Sequence, residues 1–287
     1  MEISTEIAST ALFVGEEKAI ELIAKAGFDA WDFSMSSMCR MNWDTGKQIK
    51  TSNPLSGANY LEFARKLKKV GLDNGIICNQ SHAPFPNDCP EVRSYLKRAI
   101  ECSAEAGAEI CVIHPANNWG SEQNAEIYLE LLPFAKECNV KIAAENMYLW
   151  DNEHDISLPG ACSDAKSFNE HLDIVNDEFL VACLDIGHAE MRSSGGGAAD
   201  MIRALGNRLQ ALHLHDNDRR HDLHQLPFNM FINFDEIIKA LKEIDYKGYF
   251  TLEADRYLNT YNKDNFYDGV KLMAESARKL ADMFEKV

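Results

Sequence analysis

Eight short apolar runs alternate with amphipathic stretches along the 287-residue chain, and this rhythm limits the fold more than any other feature. The apolar runs lie near 3–7, 28–33, 75–78, 109–113, 140–144, 179–184, 209–214 and 248–253, and helical patterns fall near 16–26, 58–70, 91–106, 122–138, 163–174, 199–206, 234–244 and 267–285. A strand followed by a helix of this length and another strand is the pattern of a parallel crossover. Eight such units predict an α/β chain, and a closed (β/α)8 TIM barrel is the architecture that uses all of them. A doubly wound open sheet is the runner-up, but it would want a glycine fingerprint at the first strand-to-helix turn, which the sequence lacks. No proline-rich linker divides the chain, so residues 1–287 read as a single domain. Gly27, Gly71 and Gly107 read as helix stops, and Ser193–Gly197 (SSGGG) as a flexible connection.

Composition narrows the function. At 46% hydrophobic residues the chain can fill a large core, yet no stretch approaches the roughly 18–20 apolar residues of a membrane span. The opening MEISTEIAST lacks the basic and apolar regions of a signal peptide. The net charge of −16 repels phosphate backbones, and there is no run of five basic residues, so nucleic acid is not an expected partner. The eight cysteines form no CxxC pair, and Cys78, Cys111 and Cys183 sit inside apolar runs as reduced buried thiols would. A cytoplasmic protein acting on a small molecule is the expectation, with a homo-oligomer left open.

In a TIM barrel, side chains at the C-terminal ends of the strands converge on one mouth, where chemistry takes place. Six consecutive strands here end in His, Asp or Glu. They give His82 in NQSHAP, His114 in CVIHPA, Glu145 in AAENM, Asp185 and His188 in CLDIGHAEM, His213 in LHLHDND, and Glu253 in FTLEAD. The stretch LHLHDNDRRHDLH at 212–224 holds four histidines and three aspartates, adding Asp222 and His224. Buried carboxylates without partners are costly, and a shared divalent cation would relieve that cost for Glu145, Asp185 and Glu253 together. His213 reads as a ligand, His215 as a lip residue that supports ligands or faces substrate, and His221 as a solvated loop residue. Trp119 and Trp150 follow the fourth and fifth strands in mouth loops, where their rings either stack on the C–H surface of a ligand or pack the loops themselves.

Taken in order, HAP, VIHP, EN, LDIGHA, HLHDND and LEA resemble the xylose-isomerase-like TIM-barrel superfamily. That superfamily holds sugar phosphate isomerases and epimerases, ketose 3-epimerases, inosose-processing enzymes and endonuclease IV. The resemblance to ketose 3-epimerases implies one divalent ion on Glu145, Asp185, His213 and Glu253, and substrate contacts from His188 and Arg219. The epimerase motif GE.N is replaced here by HDND. The resemblance to endonuclease IV implies three zinc ions on nine ligands, matched by His82, His114, Glu145, Asp185, His188, His213, Asp222, His224 and Glu253. That family's GEG, which follows its last histidine, is replaced by PFNMF, and its basic DNA-binding loops are missing.

The expected function is therefore a metal-dependent sugar or sugar phosphate isomerase or epimerase, with a metal-dependent phosphodiester hydrolase as the alternative. Mn²⁺, Zn²⁺ or Co²⁺ suits the mixed oxygen and nitrogen donors, and no organic cofactor is implied. Glu145 and Glu253 are the expected acid–base pair working through an enediolate. His82, His114, His188, Arg219, Trp119 and Trp150 are expected to contact sugar, with His82, His114, His188, Asp222 and His224 as alternative ligands of further ions. Loss of a β-hydroxyl from the same enediolate would need no additional residues.

Overall fold

The computed structural model describes residues 1–42, 45, 47–49 and 51–287. Eight parallel strands form one sheet: β1 (Ile3–Glu6), β2 (Ala30–Ser34), β3 (Ile77–His82), β4 (Ile110–Val112), β5 (Lys141–Glu145), β6 (Leu180–Asp185), β7 (Leu209–His213) and β8 (Phe250–Leu252). Their order is β7-β6-β5-β4-β3-β2-β1-β8. The seam between β7 and β8 is closed by a parallel bridge from Leu214 to Leu252, with Leu214 N donating to Thr251 O at 2.9 Å and Glu253 N to Leu214 O at 3.1 Å. The sheet is thus a (β/α)8 barrel rather than an open sheet.

The crossover helices are α1 (Glu16–Ala26), α2 (Tyr60–Asp73), α3 (Leu96–Ala106), α4 (Ser121–Glu137), α5 (Ala165–Val175), α6 (Ala198–Leu205), α7 (Phe234–Glu243) and α8 (Phe266–Lys286). Each turns an apolar stripe onto the barrel, and the main core lies between helices and strands. α1 and α3 end on left-handed Gly27 and Gly107, at φ 104° and 90°. Gly71 differs from the expectation: α2 continues through it to Asp73. A Cβ at Gly71 would stand 2.7 Å from the Trp31 indole nitrogen, so close packing rather than helix termination requires glycine there. Residues 193–197 are also not a loose connection. Gly195 N donates to Met191 O at 2.8 Å, Gly197 N donates to Ala189 O at 3.0 Å, and a Cβ on Gly195 would collide with Ala189 O.

Period-two alternation sets the floor beneath the mouth. Ala143 and Glu145 share the inner face of β5, Val181, Cys183 and Asp185 that of β6, and Ala211 and His213 that of β7. Val112, Ala143, Val181, Cys183 and Ala211 pack as a separate small apolar cluster. Small side chains thus fill the barrel one layer below the ionisable ones. Register pairs Asp185 with His213 in the upper layer and staggers β5 against β6, so that Glu145 pairs with Cys183. At the mouth the strands are extended by a helix (Ala8–Val14), a hairpin (Tyr148–Asp151 with Ile156–Pro159), a short helix (Ile186–Glu190) and the irregular segment 214–233. Among the described residues no helix is long and apolar enough to cross a membrane.

Candidate metal centre

Glu145, Asp185, His213 and Glu253 each offer one ligand atom, and the four atoms lie within 4.8 Å of one another. His213 Nδ1 is 3.0 Å from Glu145 Oε1 and 3.4 Å from Glu253 Oε2. On its other side His213 Nε2 is 3.5 Å from Asp32 Oδ2, which accepts a 2.9 Å hydrogen bond from Gln80. A carboxylate behind a histidine fixes which ring nitrogen faces forward and makes that nitrogen a better donor. Asp185 is oriented from two directions. Its carboxylate caps the helix Ile186–Glu190 by accepting from His188 N at 2.6 Å. Asn146 clasps its backbone, accepting from Asp185 N at 2.7 Å and donating to Asp185 O at 2.8 Å.

A second set adjoins the first through Glu145. His82 and His114 face each other with their Nε2 atoms 2.8 Å apart, and Glu145 Oε2 lies 3.0 Å from His114 Nε2. The third set is His188, His215, Asp222 and His224. Asp222 Oδ2 is 2.9 Å from His224 Nε2 and 3.6 Å from His188 Nε2, and it accepts from Tyr148 Oη at 3.2 Å. The segment carrying Asp222 and His224 is tied down by the buried Asp216. Its backbone pairs with Gln225, and its carboxylate accepts from Met230 N at 2.8 Å and Ile232 N at 3.0 Å.

So many buried ionisable groups compensate one another. Burial alone would raise Glu145, but His213 and His114 hold it well below the ordinary carboxylate range. Glu253 moves the other way: burial, with Glu145's charge adding and His213 subtracting, pushes it up to about 8. Burial would lower His188, but Asp185 and Asp222 lift it to about 10. His224 is likewise raised well above the usual range by Asp222 against the effect of burial. Protons therefore do the charge compensation that a cation could do. Even so, Glu145 Oε2, Asp222 Oδ1 and His213 Nε2 remain buried without a hydrogen-bond partner among the described residues. Orphaned acceptors on converging carboxylates are what a cation would satisfy, so the residues present fit a divalent metal.

The sets sit at the base of a cavity of about 520 Å³. His82, His114, Glu145, His188, Asp222, His224 and Glu253 line it, and Trp150 reaches its wall from the hairpin. Asp185 and His213 are fully buried beneath. Two expected sugar contacts fall outside the lining. Arg219 is not among the lining residues, and its guanidinium is 3.1 Å from Glu190 Oε2. Trp119 packs on the core with Arg93 over its ring at 5.6 Å. His215 is not at the lip. It is fully buried, with Nε2 3.1 Å from both Asp185 oxygens and its ring stacked on His224. His221 is half-buried rather than solvated, with Nδ1 2.8 Å from Asp218 Oδ2. Glu6, Asp32, Tyr148 and Arg256 line the cavity without having been anticipated. Glu6 closes the first strand, so the strand-end reasoning applied to six strands could have found it, whereas Asp32 lies mid-strand in Ala30–Ser34, level with Glu6. Burial, with Asp255 nearby, pushes Glu6 up to about 7, although Ser9 donates to it through Oγ and N.

Comparison with known proteins places these features in a wider group. The family described as the xylose isomerase-like TIM barrel matches residues 20–286. An uncharacterized protein of Methanocaldococcus jannaschii is 26% identical over 265 residues, covering 85% of this chain and 82% of that protein. A D-tagatose 3-epimerase-like protein superposes with a TM-score of 0.72 at 20% identity, covering 100% of this chain and 99% of its own. The IOLI protein, whose crystal structure carries a zinc atom, superposes with a TM-score of 0.69 at 18% identity, covering 100% and 99%. At these identities the structural likeness is one of fold.

Proposed function

The chain belongs to the xylose isomerase-like TIM-barrel family, and on that premise we propose that it is a divalent-metal-dependent sugar isomerase or epimerase, with residues 1–287 acting as one domain. The observation that carries this reading is the buried convergence of Glu145, Asp185, His213 and Glu253 at the base of an open cavity. Three carboxylates and one imidazole suit Mn²⁺, Co²⁺ or Zn²⁺, and the zinc in the IOLI protein supports the same class of ion. When bound, the ion supplies Lewis acidity toward a carbonyl oxygen and the neighbouring hydroxyl of an open-chain sugar.

The protein's own groups do the rest. Glu145 and Glu253 both belong to the ligand set, so both would be ionised with the ion bound and each could take up or release a proton at the sugar. One glutamate takes the proton from the sugar carbon and the other returns one. Return to the opposite face of the same carbon epimerises, and return to the adjacent carbon isomerises. His82, His114 and His188 line the cavity and offer ring nitrogens to sugar hydroxyls. Trp150 and Phe85 supply apolar wall.

The test is turnover of a ketose panel in deuterated water by metal-loaded protein. Breaking a C–H bond predicts deuterium at a carbon next to the carbonyl. A second reading, a phosphodiester hydrolase with several ions, draws support from the three contiguous sets, while the net charge of −16 opposes a polyanionic substrate. Incision of abasic-site DNA with a steep salt dependence, and no label in any ketose, would reverse the ranking.

A further inference from the structure

The cavity over the metal centre does not end there. A second chamber of about 460 Å³ opens beside it, between the helix Ala8–Val14 and the segment 34–40. The two share Ala8, Ser34, Ser36, Asp255 and Arg256 in their walls, so they are continuous at the mouth. Pockets for drug-sized ligands run roughly 300–1,000 Å³. The first chamber alone is within that range, and a free monosaccharide held at its base leaves the second unused.

The walls say what could fill it. Ser36, Ser37 and Asn259 present neutral donors and acceptors, Asn53 is tied to Glu16 and Leu55 N, and the two arginines, Arg40 and Arg256, are offset by two carboxylates, Glu16 and Asp255. An isolated phosphate would meet no excess of positive charge. One side is apolar: Ala8, Ala11 and Leu12 face the chamber from one helix, and Leu12 is 74% exposed. A sugar ring has this same division, with hydroxyls at its edge and C–H groups on its face.

We propose that the second chamber is a subsite for a neutral glycosyl group, so that the substrate is a glycosylated ketose of disaccharide size. This rests on the isomerase reading of the first chamber. The ketose unit sits over Glu145 and Glu253, and the attached sugar lies against Leu12 with its hydroxyls toward Ser36, Ser37 and Asn259. No bond to the attached sugar breaks.

The test compares D-fructose with the glucosyl-fructoses linked through O3, O4, O5 and O6, using deuterium incorporation by the metal-loaded full chain. At least one disaccharide is expected to exceed D-fructose by tenfold or more in kcat/KM. Ser37→Trp and, independently, Asn259→Trp fill the second chamber from different sides. Each is expected to raise KM for that disaccharide at least tenfold and to leave D-fructose within twofold. D-fructose labelled as fast as every disaccharide, or both tryptophan variants slowing both substrates equally, would overturn the subsite and leave the isomerase reading standing. Absence of label in every sugar, large or small, would overturn both.

Discussion

Glu145, Asp185, His213 and Glu253 stand on or directly after four neighbouring strands, whereas His215, Asp222 and His224 ride on the irregular segment 214–233. The strand-borne set is fixed by ladder hydrogen bonds on both sides of each strand, on a floor of Ala143, Cys183 and Ala211. The segment-borne set is held by individual contacts rather than a ladder, among them those of Asp216 with Gln225, Met230 and Ile232, of Asn217 with Gly187 O and of His224 with Glu253 O. Ligands on rigid elements are held within narrower tolerances than ligands on loops. The comparison teaches that the first set is suited to hold an ion for chemistry and the second to tune it and to meet substrate.

The sharpest way to break this division is to alter the strand-borne acids. On the proposed function, Glu145→Gln or Glu253→Gln removes one of the two proton-moving groups, and turnover should fall by about 10²–10⁴-fold. Metal content has to be measured on the same samples, because each change also takes away a ligand. If either variant kept near-normal deuterium exchange, the acid–base pairing would be wrong.

Asp222→Asn and His224→Asn probe the other set. They leave the strand-borne donors in place, so metal content should hold and turnover should drop by about 10–100-fold, as for residues that support a metal site. A loss of all metal in these variants would move the resident ion to the segment-borne set.

Much of the strand-borne set was readable from sequence because a strand has a direction and a period. An apolar run such as CLD or AAE states where its last inward side chain points once the barrel is assumed. The segment-borne set was only partly readable. Spacing gave the residue types of 212–224 but not the path of the chain, which turns through left-handed Arg219 and His224 at φ 62° and 43°. This is why Arg219, placed by its distance from His213, faces Glu190 instead of the cavity, and why His215 lies under Asp185 rather than at the lip. Trp119 takes the packing alternative, since a position after a strand does not decide between wall and core. Glu6 obeys the strand-end rule, but ISTE carries no histidine to draw attention, and Asp32 lies in the middle of AWDFS, where the rule does not reach.

Glu6 supplies the smallest predicted effect and extends the comparison to a strand end outside the metal sets. Its folded carboxyl titrates near 7, against a model-compound value of 4.5. Between those values the folded protein binds more protons than the unfolded chain, so stability falls as pH rises from 4.5 to 7 and stays lower above 7. Glu6→Gln should therefore raise stability at pH 8, by up to about 3 kcal/mol, with the gain vanishing below about pH 4.5. Thermal melts across that range check it. A variant gain that grew toward acid pH would contradict the buried, reluctant carboxylate.

The distinction between the two sets is tested most directly by anomalous diffraction from crystals of metal-loaded protein, at the absorption edge of the bound metal. The expected map has one strong peak, among Glu145, Asp185, His213 and Glu253. A map with its only peak among His188, Asp222 and His224 would contradict the assignment, and three peaks of equal height spanning all the sets would favour the phosphodiester hydrolase.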